Sequence, residues 1–296
     1  MNGTEFRFAS SSDNDDEYNQ NNDRSNGGQE ESRPTITPAP TIAPTSSCSD
    51  PYFPSGLFTE PCFQSRLEVV RAIQYYTKDE SLYFYNEVCH EKLLRQHGES
   101  INQWCLDNVT DFSSLFRLQT DFNDALDRWN VSHVETMQQM FSSARAFNQD
   151  ISAWDVSAVS NMEETFAGAR AFNQNISTWD VSSVVNMRGM FEGALLFNQD
   201  ISKWDVSGVR YMSVMYMSAT KFNQDLSHWN MSNVTDIRGM FSNARSFSQD
   251  LCAWGHKLPL LSATMAHNAF KDTNCPNTSD PDMHASPPGP FCFNCI

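Results

Sequence analysis

Residues 147–171 read FNQDISAWDVSAVSNMEETFAGARA, and residues 172–196 and 197–221 repeat that line with small changes. Working outward, Trp104, Trp129, Trp154, Trp179, Trp204, Trp229 and Trp254 fall 25 residues apart without a slip. Phe122, Phe147, Phe172, Phe197, Phe222 and Phe247 form a second column. Phe116, Phe141, Phe166, Phe191 and Phe241 form a third, with Tyr216 in its gap. Further columns are valine (109 to 234), alanine (144 to 244, extended to Ala269), Ile/Leu (101 to 251) and methionine (137 to 212, flanked by Phe112 and Ile237). A fixed period of this length marks a stacked array, in which no unit buries its own apolar face. The functional question therefore concerns surfaces rather than a single cleft.

Within one period, Val159, Met162, Phe166 and Ala169 are spaced by three and four, which predicts a short helix. Ser157 and its counterparts stand at the expected N-cap, and Ser132-His-Val-Glu135 reads as a capping box. Trp154-Asp155-Val156 alternates as a short parallel strand would. Strands stacked at ~4.8 Å would make a sheet roughly 29 Å wide from the first tryptophan to the last. The fold class expected is therefore an α/β repeat, a right-handed solenoid with one short strand and one short helix per 25-residue unit.

The array runs over 101–270, and its final turn keeps Met265 and Ala269 in register while Ala266 and Pro259 replace Phe and Val. Before it, 1–33 is a polar acidic arm too poor in apolar residues to fold alone, and 34–47 is a Pro/Thr-rich stalk. Residues 48–100 form an N-terminal cap. There Ser65-Arg-Leu-Glu68 opens an amphipathic helix through Tyr76, with Leu67, Val70 and Ile73 as its apolar stripe covering the first unit. Residues 271–296 form a C-terminal cap or tail.

The 8 cysteines avoid the array interior. Cys48, Cys62, Cys89 and Cys105 precede it, and Cys252, Cys275, Cys292 and Cys295 close it. Disulfides in the flanks would staple the two exposed ends and imply an oxidising compartment, with connectivity left open. Sequons begin at Asn2, Asn108, Asn130, Asn175, Asn230, Asn233 and Asn277, and become glycan sites if the chain is secreted by a eukaryote. The start is polar and carries no visible signal peptide, so secretion implies a targeting segment upstream. No stretch is apolar enough to span a bilayer. A net charge of −16 excludes the basic footprint of a nucleic-acid binder.

Asn148, Asn173, Asn198 and Asn223 suggest a ladder satisfying backbone groups where the chain turns. Asp150, Asp200, Asp225 and Asp250, with Asp155, Asp180 and Asp205, read first as helix caps; calcium between units is the rival reading. No catalytic constellation is present, and no other cofactor or metal site is implied. The columns that vary are Arg128, Ala153, Thr178, Lys203 and His228, and Arg145, Arg170, Leu195, Thr220 and Arg245. The second places Arg145, Arg170 and Arg245 along one edge of an acidic protein, a candidate site for a protein or glycan partner.

The pattern FNQDISxWDVSxVxNMxxMFxxA resembles the repeats of BspA-like leucine-rich-repeat surface proteins of bacteria, mycoplasmas and unicellular algae. The likeness covers about residues 101–275. It implies a leucine-rich-repeat-like solenoid displayed outside the cell, without enzyme chemistry, serving in binding or adhesion. A structural wall or matrix component and an intracellular scaffold are the competing expectations.

Overall fold

A computed structural model describes residues 62–78, 87–259 and 261–296. The acidic arm, the Pro/Thr stalk, Cys48 and the beginning of the N-terminal cap lie outside those residues.

Helix α1 spans Arg66–Tyr76 and α2 spans Glu87–His97. Ser65 caps α1 as its sequence suggests, accepting from the Glu68 N–H at 3.4 Å. The return bond reaches one residue further than in a standard capping box, with Glu68 Oε2 accepting from the Gln64 N–H at 2.7 Å. The buried face is Val69, Ala72, Ile73 and Tyr75, whereas Leu67 is 57 % exposed. The expected stripe is therefore rotated, because the helix lays its other flank on the array. Tyr76 meets the edge of Trp104 at 5.5 Å and Phe63 lies 5.3 Å from the same ring. Tyr76 also donates to Asp124 at 2.8 Å.

Each repeat, taken as 122–146, 147–171, 172–196, 197–221 and 222–246, is a closed run of turns. Between α2 and residue 296 the described residues hold no α-helix, only short 3-10 segments at Ile101–Gln103, Cys252–His256 and Ala263–Met265. The helix expected over Val159–Ala169 is replaced by three overlapping turns. They close through Thr165 N–H to Met162 O at 3.3 Å, Ala167 N–H to Glu164 O at 3.1 Å and Ala169 N–H to Phe166 O at 3.0 Å. Glu164 (φ 53) and Gly168 (φ 68) supply the left-handed third residue of the first and the last. Four-residue turns bury the same spacing of side chains as a helix, which is why the two cannot be told apart from apolar spacing. What differs is the destination of the N–H groups. Those of Met162, Glu164, Phe166 and Gly168 donate to Asn186, Arg188, Met190 and Glu192 of the next repeat, at 2.9, 2.8, 2.9 and 2.6 Å. A helix would have spent them internally.

The parallel pairing also sits elsewhere than expected. Bridges join Asp111, Thr136, Asn161, Asn186, Tyr211 and Asp236 in sequence, just before the methionine column rather than at Trp-Asp-Val. The Trp154 N–H instead closes a turn on Ile151 O at 3.1 Å. The chain turns a corner between Ile151 and Trp154. It lets both side chains point inward while Ala153 stays exposed.

The core is a set of continuous columns. All seven tryptophans are buried, as are the valine, methionine, aliphatic and alanine positions through Ala244. Phe141, Phe166, Phe191, Tyr216, Phe241 and Phe270 stack at 5.4–5.7 Å. Each of the first five also stacks on a ring of the Phe147 column at about 4 Å, as Phe166 does on Phe172 at 3.9 Å. Every tryptophan from Trp129 on donates its indole N–H to an aliphatic residue's carbonyl in the repeat before, at 2.8–3.2 Å. Trp104 has no repeat before it, and its indole nitrogen has no partner among the described residues.

The last turn corrects the register expected from sequence. Ile237 N–H donates to Met265 O, Gly239 N–H to His267 O and Phe241 N–H to Ala269 O, each four residues later than the period demands. Phe270, not Ala266, continues the phenylalanine column. Ala266 fills the methionine column, and Met265 is left exposed at the surface. The extra residues follow Trp254 and include Pro259.

Caps meet this edge with matched chemistry. At the front, Ser113 O receives no donor from an earlier repeat and accepts instead from Arg66 Nε at 2.6 Å. At the back, the Asn268 N–H has no later repeat and donates to Asp280 Oδ1 at 2.6 Å. A cation covers the carbonyl end and a carboxylate covers the N–H end, each a charge-assisted bond.

Candidate binding surface

Three disulfides are described: Cys62–Cys105, Cys252–Cys295 and Cys275–Cys292. Cys89 is buried and also disulfide-bonded. Each flank is thereby pinned to the array, since Cys105 and Cys252 belong to its first and last tryptophan turns. Disulfides of this number point to an oxidising environment. The one group of three metal-type side chains found among the described residues is Cys62, Cys105 and Asp107, and its sulfurs are already joined to each other. Cys292 and Cys295 likewise spend their sulfurs on different partners, Cys275 and Cys252.

The aspartate columns are occupied locally. Asp150, Asp200, Asp225 and Asp250 each accept the N–H of the residue two positions on, at 2.9–3.0 Å. Asp155 and Asp180 accept both the hydroxyl and the N–H of Ser157 and Ser182, at 2.6–3.1 Å. The serines expected to cap helices are thus donors to Asx turns. Ser132 does the same to Asn130. Hydrogen bonding holds five aspartates below their ordinary value: the serine hydroxyl leads for Asp155, Asp180 and Asp205, the serine N–H for Asp150 and Asp200. A carboxyl depressed in the fold stabilises it above the unfolded value and ceases to as pH falls through the folded one. The melting temperature should therefore hold from neutrality to about pH 4 and decline below the unperturbed 3.8, as checked by thermal unfolding across pH 2–7. Substituting asparagine at Asp155, Asp180 and Asp205 should flatten that decline.

The asparagine ladder forms as expected. Asn123 Oδ1 accepts the Asn148 N–H, Asn148 that of Asn173, and so on to Asn223 and Ser248, at 2.8–2.9 Å. A second strut was not read from the sequence. Gln149, Gln174, Gln199, Gln224 and Gln249 reach back to the carbonyls of the same asparagines at 2.7–3.0 Å. The column of glutamines beside the asparagines was its visible signal.

The variable residues before each tryptophan are exposed at every step from Arg128 to Ala253. Arg145, Arg170 and Arg245 are exposed as well and make no ion pair among the described residues, while Leu195 and Thr220 between them are half-buried. Sequon asparagines Asn108, Asn130, Asn175, Asn230 and Asn233 are exposed, and Asn277 is half-buried against Asn294 at 2.6 Å. Asn130 and Asn233 spend their amide nitrogens on Asp107 and on Ser207 O at 2.9 and 2.7 Å. An open cleft of about 860 Å³ lies where α1 meets the first repeat, lined by Tyr76, Lys78, Arg117, Leu118, Asp121 and Asp124 among others. Burial, and then Asp124, push the Tyr76 hydroxyl up to about 12. No helix among the described residues is long and apolar enough to cross a membrane.

The pattern of one protein family, described as "Mycoplasma protein of unknown function, DUF285", matches residues 87–194 and again 172–279. The chain belongs to that family. No curated protein and no solved structure matches it. Each DUF285 match takes in about four of the periods above, so the family unit is a block of repeats rather than a single one.

The phenylalanine column has one internal exception. Tyr216 occupies a phenylalanine position, is wholly buried, and its hydroxyl has no partner among the described residues. Burial pushes that hydroxyl well above its ordinary range. An unpaired buried hydroxyl costs about 1–3 kcal/mol. Tyr216→Phe should therefore raise stability by about 1–2 kcal/mol in chemical denaturation, and a loss would mean that the hydroxyl is paired in solution.

Proposed function

We propose that this protein is a non-enzymatic, secreted or surface-displayed repeat protein that binds a protein or glycan, in the manner of BspA-like leucine-rich-repeat surface proteins. The array is read as a right-handed, leucine-rich-repeat-like solenoid, with turns where that fold commonly has a helix. The observation that carries the reading is the contrast between buried columns that keep their apolar character and the exposed column before each tryptophan, which changes at every step from Arg128 to Ala253, beside a second that places Arg145, Arg170 and Arg245 in water. A stacked array of that kind presents differing side chains at regular intervals. Oxidised flanks support an extracellular setting. Arg145, Arg170 and Arg245, which make no ion pair among the described residues, favour an acidic ligand on that edge.

The test is to count free thiols and measure the intact mass of the native protein with and without deglycosylation, then to screen acidic glycans and surface proteins. The reading expects oxidised cysteines, and binding that weakens in the triple variant R145A/R170A/R245A. Free thiols on the native protein, with no ligand distinguishing that variant from wild type, would overturn it.

A further inference from the structure

Repeat 197–221 breaks three local rules on one outward face, and all three breaks put apolar atoms in water. At the bridge position, Asp111, Thr136, Asn161, Asn186 and Asp236 each use a side-chain oxygen to accept the N–H two residues on, at 2.8–3.4 Å. Tyr211 stands at that position in this repeat, cannot make the bond, and is 46 % exposed. Three residues on, the chain needs a left-handed residue, which neighbouring repeats supply as Gly189 and Gly239. Here it is Val214 at φ 52, a conformation that a β-branched residue adopts only under strain. Its flanking glycines leave it room, since a Cβ on Gly239 would meet Val214 Cγ1 at 3.3 Å. Three further on, Met217 is half-exposed where other repeats carry Ser142, Ala167, Glu192 and Ser242. Exposed Val185 lies in the neighbouring repeat beside Arg210 and Tyr211, its carbonyl accepting their N–H groups at 2.9 and 3.4 Å.

Departures from local rules that gain nothing within the fold gather where a protein makes contact with something else. The charges around the stripe indicate what. Arg188, Arg210 and Arg238 lie around it together with Glu163, Glu164, Glu192 and Asp236, so the rim holds both signs, three against four. A uniformly acidic or basic partner would meet like charge. Arg188 is bound to Glu163 and Glu164 at 2.8 and 3.2 Å, and Arg238 to Asp236 at 2.7 Å. Arg210 and Glu192 make no ion pair among the described residues, and they lie at opposite ends of the stripe, beside Tyr211 and beside Met217.

We infer that the Tyr211–Val214–Met217 stripe is the isologous contact of a homodimer. A twofold axis along the stack reverses the stripe, setting Tyr211 on the partner's Met217 as a sulfur–aromatic contact. Val214 then meets its own counterpart, and Arg210 reaches the end that carries the partner's Glu192. A patch of four apolar residues is small for an obligate interface, and the dimer belongs to the weak class with Kd of about 1–100 µM.

Sedimentation velocity of the full oxidised chain from about 1 to 200 µM tests the proposal. Wild type should pass from monomer to dimer. The variant Y211N/V214G/M217A, which installs residues that other repeats already carry at those positions, should keep its circular dichroism and melting temperature yet weaken the dimer by about 30-fold or more. Charge exchange supplies a second arm independent of packing. Arg210→Glu alone should weaken the dimer, and R210E/E192R should restore it. A wild type that stays monomeric at the highest concentration, or a dimer unmoved by the triple variant and the charge exchange, overturns the assignment.

Discussion

Phe166→Ala should destabilise the protein by about 3–5 kcal/mol, as expected of a fully buried aromatic ring. Phe166 is fully buried and stacked on three rings: Phe141 at 5.6 Å, Phe172 at 3.9 Å and Phe191 at 5.7 Å. Truncation removes one ring and leaves a void between two repeats that hydrogen bonds hold at a fixed spacing, so neither can move in to fill it. Because each repeat touches only its neighbours, the loss falls on two interfaces at once. Chemical denaturation should show the midpoint falling well below that of Arg170→Ala, an exposed control expected to change stability by less than about 0.5 kcal/mol. A ring deletion costing no more than the control would mean that the aromatic columns are not the core of the folded protein.

Reduction of the terminal disulfides should have a comparable effect, but a local one. Cys252–Cys295 and Cys275–Cys292 fold the C-terminal segment onto the last full repeat, the first closing a separation of 43 residues. Closing a loop of that length restricts the unfolded chain by about 4 kcal/mol in the chain-entropy account. Breaking both bonds should release the segment around Phe291, which is fully buried and whose carbonyl accepts the Leu251 N–H at 3.3 Å. Hydrogen exchange in the reduced protein should accelerate first over 237–272, while amides of 147–221 stay protected. Uniform loss of protection would instead mean that the array unfolds as a single cooperative unit and that the flank is part of it.

The period and the burial of each column were legible because side-chain chemistry recurs every 25 residues. The path of the backbone between columns was not. Val159, Met162, Phe166 and Ala169 suit a helix and a run of four-residue turns equally well, and only the left-handed residues at Glu164 and Gly168 separate them. That signal is faint in any one repeat, since glutamate, glutamine and serine also stand at those positions. It sharpens when Gly168, Gly189, Gly193 and Gly239 are read together. The register slip after Trp254 was hidden for a different reason: Ala269 matched the alanine column by identity while Phe270, one residue later, carried the packing. The unusual face of repeat 197–221 was equally visible, as Tyr211, Val214 and Met217 against five other copies, but comparing columns for what they share passes over what one copy alone departs from.

Arg66 on Ser113 O and Asp280 on the Asn268 N–H have a consequence beyond closing the ends. Along that edge the front of the stack offers acceptors and the back offers donors, in the geometry by which one repeat receives the next. The two ends therefore fit each other as well as they fit their covers. A molecule stripped of either cover would present a template for the opposite end of its neighbour, a head-to-tail contact that never closes on itself. The covers act as chain terminators, and what they prevent is a fibre.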